Sequence, residues 1–514
     1  MEINRRLGVR VTAPLALALL VMAGCTGSPD TPAKPGDDAP STSGKPSSAV
    51  ARICANPAPG PAEAPKGAVV VDPGVVGDLA AKTEKSPPNT TFWLRPGTHT
   101  LEPDRYAQVF PKKGNRYIGA PGAIVDGRRV NQYAFSGEAP DVTLSHLTVR
   151  GFVPPHDQGV VNHDSADGWV IEHNTIKEND GAGLMAGAHQ VVRANCLREN
   201  GQYGMNAYKS GDSIKDLVVE GNEITGNNTA DWERKKPGCG CTGGIKFWAV
   251  DGADIRGNWV HGNRGTGLWA DTNNNDFRIE GNVIDGNDGA ALIYETSYNA
   301  VIRDNTIRRN NWVEGRRGAD RDDNFPFATV YLSESGGEPR IKARTDRLEV
   351  YRNVLENNWS GITLWENADR FCNSPANTSS GDCTLLVRKV DRCAQPAIAK
   401  PPLYEDCRWK TQRVDIHGNE FVLDPAVVKC KKALCGRMAV LANYGTYPDW
   451  SPYKGDSVAQ AITLRQDNRW YDNVYRGPWT FTAHDPSRTL TVKQWQGTTY
   501  RQDQGSTFRP RAGG

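Results

Sequence analysis

The chain has 514 residues, with 61 Lys and Arg against 59 Asp and Glu, a net charge of +2. A balance this even, without a long basic block, gives no means of capturing nucleic acid electrostatically, and no nucleic-acid partner is expected. Five Met beside 53 Gly and many Asn argue against a helical or multi-span membrane protein and for an all-β, turn-rich one.

The first elements are an address. Met1–Arg10 carries Arg5, Arg6 and Arg10; Val11–Met22 is almost wholly apolar, and Ala23-Gly24-Cys25 follows. A basic region, a short apolar run and small residues before a cut site form a secretory signal peptide, and the run is too short to span a bilayer comfortably. Val21-Met22-Ala23-Gly24-Cys25 resembles the bacterial lipobox, although Met22 departs from the usual residue. That resemblance implies lipidation of Cys25 and an exported protein held at the outer face of the membrane; an ordinary signal peptide cut nearby is the plainer alternative. Residues 26–65 are rich in Pro, Ser and Gly and read as a disordered tether.

Setting Cys25 aside leaves ten cysteines, an even number that suggests disulfides in an exported chain. Cys372, Cys383, Cys393 and Cys407 cluster and allow local pairs, as do Cys430 and Cys435. Zinc at Cys239-Gly-Cys241 or in the cluster is the rival, but no CxxC pair or companion His supports it.

From Asp141 to Ala368 a phrase recurs: IEHNTIKEN, VRANCLREN, VEGNEITGN, IRGNWVHGN, IEGNVIDGN, IRDNTIRRN and VYRNVLENN. Each holds two Asn five positions apart, from Asn174/Asn179 to Asn353/Asn358, with weaker echoes at Asn419 and Asn473. First-Asn spacings of 21, 27, 36, 24, 23 and 48 imply a unit of just over twenty residues, some with insertions. Alternating apolar runs such as Trp169-Val170-Ile171 mark strands, and Gly and Asn mark turns. Short strands at a fixed period predict a coil of parallel strands, with equivalent residues stacked about 4.8 Å apart. An Asn at one corner of every coil can then bond its amide to the next rung as a ladder.

These units resemble the right-handed parallel β-helix repeats of pectate lyases, polygalacturonases and related carbohydrate-active proteins. The resemblance implies an all-β, single-stranded right-handed parallel β-helix over 66–480, with a Cys-rich insertion at about 368–413. A closing segment or tail follows at 481–514. It further implies a capping helix within Val75–Lys85, an opening strand and turn at Thr91–His99, and a polysaccharide partner. No motif matches the catalytic signature of pectate lyases or polygalacturonases.

Column arithmetic locates acids. Eight residues beyond the second Asn of a unit lie Asp271, Glu295 and Glu366; VYLSES matched to ITLWEN sets Glu334 beside Glu366. Asp271 with Glu295, and Glu334 with Glu366, are expected as two pairs on neighbouring rungs, all four candidate catalytic acids, with Glu334 and Glu366 supporting the sugar subsites. Stacked like charges persist when they hold a metal, share a proton or face cations, and proton sharing is what acid/base chemistry needs. Two carboxyls flanking a bond suit glycoside hydrolysis, with the spacing leaving retention or inversion open. Surface acids satisfied by turn amides are the plain alternative.

The neighbours suit a sugar. Trp248, Trp269, Tyr208 and Trp365 lie in or beside these columns, and aromatic faces stack on pyranose rings; Tyr294 is expected to point inward. Lys209 and Lys246 could bind a uronate carboxylate, or one could be the base of a lyase. His163 occupies the corresponding place in an earlier unit. Insertions at Thr229–Gly243 and Trp312–Asn324 are expected to wall a groove. Asp320, Asp322 and Asn324 resemble the start of a calcium loop but lack its Gly and distal Glu, and Asp271 and Glu295 could themselves be metal ligands. Three functions result: hydrolase with Asp271 and Glu295 as the acid/base pair, calcium-assisted lyase, or non-catalytic glycan-binding or structural surface protein.

Overall fold

The computed structural model describes residues 52–509 apart from 237–239, 241–242, 322–326, 376–382, 430–434, 444, 446, 455 and 485–486. The recurring phrase folds as coils. Val170–Glu172 turns into Thr175–Lys177 and then Ala182–Met185; the next coil repeats this with Val191–Arg193, Cys196–Arg198 and Met205–Ala207. Stacked coils build three sheets of thirteen, thirteen and eleven strands among the described residues. Their ladders are parallel, except where Phe481 meets Leu490 at the closing end. This is a parallel β-helix. No helix among the described residues is long and apolar enough to cross a membrane.

The two Asn hold the corners. The residue before each takes a left-handed conformation, as at Gly262 (φ 59°) and Arg309 (φ 56°), which explains the frequent Gly-Asn pairing. Asn222 Nδ2 donates to Asn258 Oδ1 at 3.0 Å, Asn258 to Asn282 at 2.9 Å and Asn282 to Asn305 at 3.0 Å. The same Asn258 Oδ1 accepts the backbone N–H of Asn222 at 2.9 Å, while Asn258 Nδ2 also donates to the Val219 carbonyl at 2.9 Å. Asn227, Asn263, Asn287 and Asn310 form a second ladder at the next corner. These buried amides are thus satisfied by one another. Within the coil, Ile171, Val192, Val219, Ile255, Ile279 and Ile302 lie in one register and are buried. Each such side chain contributes about 1.5–3 kcal/mol by leaving water.

Both ends are closed. The helix Asp78–Lys85 buries Leu79 over the first coil, whose strand Val69–Val71 precedes the paired strand Thr91–Leu94. At the other end Thr491 and Gln494 form a capping box on the helix Val492–Gln496. Its Trp495 stacks on Phe481 and meets Trp470 edge-on. Thr507–Arg509 still pairs with Val474–Arg476, so coil register continues into the closing segment.

The tether is shorter than its composition suggested. Cys54 is bonded to Cys196, its N–H donates to Glu223 Oε2 at 2.8 Å, and Trp93 Nε1 donates to the Pro61 carbonyl at 3.1 Å. A segment poor in apolar side chains is held here through its backbone and one covalent bond, which composition does not register. Cys25 and the lipobox lie outside the described residues.

In the Cys-rich insertion Cys372 pairs with Cys383 and Cys393 with Cys407, around a small core that includes Phe371, Ile398 and Tyr453. The sulfurs of Cys372, Cys383 and Cys393 lie within 4.8 Å of one another. As disulfides they offer no thiolate, so zinc does not fit there. Cys435 is also disulfide-bonded; Cys239, Cys241 and Cys430 lie outside the described residues.

Candidate active site

The third sheet carries the acids. Its register aligns Ala207, Phe247, Ala270, Tyr294, Leu332 and Leu364, which are buried and point inward. Strand alternation therefore sends the residues on either side outward. One outward column contains Tyr208, Trp248, Asp271, Glu295, Ser333 and Trp365; the other contains Lys246, Trp269, Ile293 and Tyr331. Asp271 and Glu295 thus stand on consecutive rungs, with Trp248 on the rung before. Tyr294 points inward, and its hydroxyl donates to the Tyr298 carbonyl at 2.8 Å.

Glu334 and Glu366 fall one position later, and this changes their role. Glu334 follows the end of its strand with φ at 47° and is fully buried, as is Glu366. Neither can touch a polymer from solution, so the expectation that they act on substrate is corrected. Glu366 accepts from the Arg408 guanidinium, from the Thr411 N–H at 3.0 Å and from Gln466 Nε2 at 2.7 Å. It anchors the Cys-rich insertion. Glu334 accepts from Ser333 Oγ at 2.7 Å and the Asn367 N–H at 2.8 Å.

Two cations answer the remaining acids. Lys246 Nζ lies 2.8 Å from Asp271 Oδ2, 2.6 Å from the Gly240 carbonyl and 4.5 Å from the centre of the Trp269 ring. Thr272 Oγ1 donates to Asp271 Oδ1 at 2.9 Å. Arg370 Nη1 donates to Glu295 Oε1 at 2.6 Å and to Glu334 Oε2 at 2.9 Å, and Trp269 Nε1 donates to Glu295 Oε2 at 3.3 Å. Lys246 is therefore the partner of Asp271 before it is anything else. Arg370 had no signal in the repeat, because it belongs to the insertion; its only mark was its place just before Cys372.

The carboxyls are set differently. Burial pushes Glu295 up, Arg370 pulls it back, and Asp271 pushes it up again. Burial raises Glu334 to about 7 against Arg370, with Glu295 adding to the rise. Burial opposes the Arg370 charge, but Glu334 and Glu295 outweigh it and keep the guanidinium protonated. Asp271, held by a lysine and a hydroxyl, stands beside a Glu that favours its proton. A carboxyl that favours its proton, beside a lysine-bound carboxyl on the adjacent rung, is an arrangement that general acid/base chemistry uses.

The insertions wall a groove as expected. A cleft of about 760 Å³ is lined by Thr266, Asp288, Ile293 and Tyr331 and by residues around the helices Trp232–Lys235 and Trp312–Asp320. A second, of about 550 Å³, is lined by Tyr208, Lys209, Trp248, Asn273 and Arg388.

The other expected residues lie outside the acid cluster. Lys209 Nζ pairs with Asp167 at 2.9 Å, so it borders the smaller cleft without reaching the acids. Trp365 lies one rung beyond Ser333, its ring 6.1 Å from Tyr331. His163 follows the strand Gly159–Val161, four rungs from Asp271, or roughly 19 Å at about 4.8 Å per rung. It stacks on Tyr133 at 3.7 Å, and burial lowers its pKa against the pull of Asp164. This corrects its expected place at the site, because a similar place in the repeat does not mean closeness along the stack. Asp320 ends its helix, and Asp322 and Asn324 lie outside the described residues. At the Asp271–Glu295 pair the carboxylate oxygens face Lys246, Thr272, Arg370 and Trp269, with which a calcium ion would have to compete.

A family model described as "Right handed beta helix region" matches residues 158–341 and 240–379. The chain is a right-handed parallel β-helix repeat protein. No curated protein matches it in sequence. Among solved structures, the A-module of Azotobacter vinelandii mannuronan C-5 epimerase AlgE6 is similar at TM-score 0.37 and 13% identity, over 70% of this chain and 91% of that one. The GH87 α-1,3-glucanase catalytic unit of Streptomyces thermodiastaticus gives 0.44 and 12%, over 87% and 70%. The endo-xylogalacturonan hydrolase of Aspergillus tubingensis gives 0.33 and 9%, over 86% and 100%.

Proposed function

We propose that the protein is an exported glycoside hydrolase, held at the cell surface through Cys25, that cleaves polysaccharide over the third sheet. The observation that carries this is the pair Asp271 and Glu295 on consecutive outward rungs, one bound to Lys246 and the other pushed toward its neutral form. Glu295 donates its proton to the glycosidic oxygen as the bond breaks. Asp271, held by Lys246, meets the sugar carbon from the other side. One rung, about 4.8 Å, matches the separation of about 5–5.5 Å used by retaining enzymes, in which the second carboxylate forms a covalent sugar ester that water then opens. Trp269 and Trp248 offer ring faces to the sugar. Lyase chemistry has less support: its candidate bases, Lys246 and Lys209, are already engaged by Asp271 and Asp167.

The test is a screen of the full chain against neutral and acidic polysaccharides, recording reducing ends and the absorbance of an unsaturated product. New reducing ends without the chromophore, lost in Glu295→Gln and Asp271→Asn while binding persists, support hydrolysis. A chromophore would establish a lyase. Binding without any cleavage would establish a glycan-binding surface protein.

A further inference from the structure

Every strand of the third sheet around the acids runs the same way, so residues before the strands line one edge and residues after them line the other. Gly265 and Thr266 precede Leu268–Ala270, Asp288 and Gly289 precede Leu292–Glu295, and all four line the larger cleft. Trp248 and Ala249 follow Ile245–Phe247, Asn273 follows Leu268–Ala270, and these line the smaller one. Asp271 and Glu295 lie between. Both volumes fall in the range of ligand-sized clefts, about 300–1,000 Å³. A chain bound at the acids has room on both sides.

Among the described residues, the charges lining these clefts cancel. In the larger, Asp231, Glu233, Asp288 and Glu314 face four arginines, of which Arg317 pairs with Glu314 at 2.6 Å and Arg234 with Asp231 at 3.1 Å. In the smaller, Asp212 and Asp251 face Lys209 and Arg388. Between them the two cations are already engaged, Lys246 by Asp271 and Arg370 by Glu295 and Glu334. A polymer with a carboxylate on every sugar would meet no surplus of cations and would bring a like charge toward Asp271. A neutral sugar meets ring faces instead, at Trp248, Trp269 and the exposed Tyr208.

We infer that the substrate is a neutral glycan chain that runs across the third sheet through both clefts and is cut internally. The inference rests on the hydrolytic role of Asp271 and Glu295. It is tested with the full chain on a uronate polymer, on the same polymer with its carboxyls reduced, and on neutral glucan, xylan and mannan, with products resolved by size. The expected result is cleavage of at least one neutral polymer to mid-sized oligomers from the earliest times. The carboxyl-reduced polymer should not be cut more slowly than its parent, and where either is cut it should lead by at least about tenfold, the effect of one uncompensated like charge. Cleavage of the uronate polymer at an equal or higher rate, abolished by Glu295→Gln, would overturn neutrality and leave hydrolysis standing. Release of only mono- or disaccharide from the start would overturn internal cutting. Binding without cleavage of any polymer would remove the hydrolytic role and this inference together.

Discussion

Two stacks of polar residues run along this coil, and they behave in opposite ways. In the Asn ladder each amide is donor and acceptor at once, so repeating it satisfies it: Asn222, Asn258, Asn282 and Asn305 bond one to the next and stay buried. In the acid column each carboxylate only accepts, so repeating it creates repulsion that something outside the column must offset. Lys246, Arg370 and Arg408 do so, the last two from the Cys-rich insertion. A self-complementary repeat builds a scaffold; a self-repelling one stores altered proton affinities. The first can extend through many rungs, whereas the second is confined to a few rungs beside the insertions.

The contrast can be broken at several points. Glu295→Gln removes the proton donor from the acid column and should lower turnover roughly 10²–10⁴-fold with binding retained, read from initial rates and a binding isotherm. In the ladder, Asn258→Ala strips the Asn222 N–H and Nδ2 of their acceptor and should cost about 2–3 kcal/mol, read from denaturant midpoints, with the cleavage rate of the folded fraction unchanged. Unequal effects in those two directions are what the contrast requires.

Arg370→Gln sharpens it. Because Arg370 holds Glu295 and Glu334 down, its loss should move the alkaline limb of the activity profile to higher pH, as the acid keeps its proton longer. Stability follows from the same sign. Glu334 titrates near 7 in the fold and near its ordinary 4.5 when unfolded, so its contribution is full below 4.5 and is lost as pH rises toward 7. Glu334→Gln should flatten that part of the stability curve. The smallest effect is expected at Lys209→Ala, where a half-exposed pair is worth about 0–1 kcal/mol and lies away from the acids. The denaturant midpoint should barely move.

Much of this was legible in the chain itself, for a physical reason. A parallel coil turns sequence distance into spatial column, so Asn263 to Asp271 and Asn287 to Glu295, each eight residues, land side by side. The same count placed Glu366 beyond Asn358, but that unit is one residue shorter, so Trp365 takes the outward position and the Glu366 side chain turns into the interior. A shift of one residue reverses the face of a strand. His163 failed differently: the stack set it four rungs from Asp271.

What the sequence determined by itself was everything periodic: the parallel coil, the Asn corners, the apolar interior and the outward pair Asp271 and Glu295. Each depends on contacts between equivalent residues of successive units, and spacing along the chain encodes those contacts. Only the tertiary structure decided what crosses between units that are not equivalent. Arg370 reaches Glu295 across 75 residues, Arg408 reaches Glu366 across 42, and Cys54 reaches Cys196 across 142. An insertion follows no period, so its charges find the acids by packing, where burial raises Glu295 and Glu334 and Arg370 pulls both back.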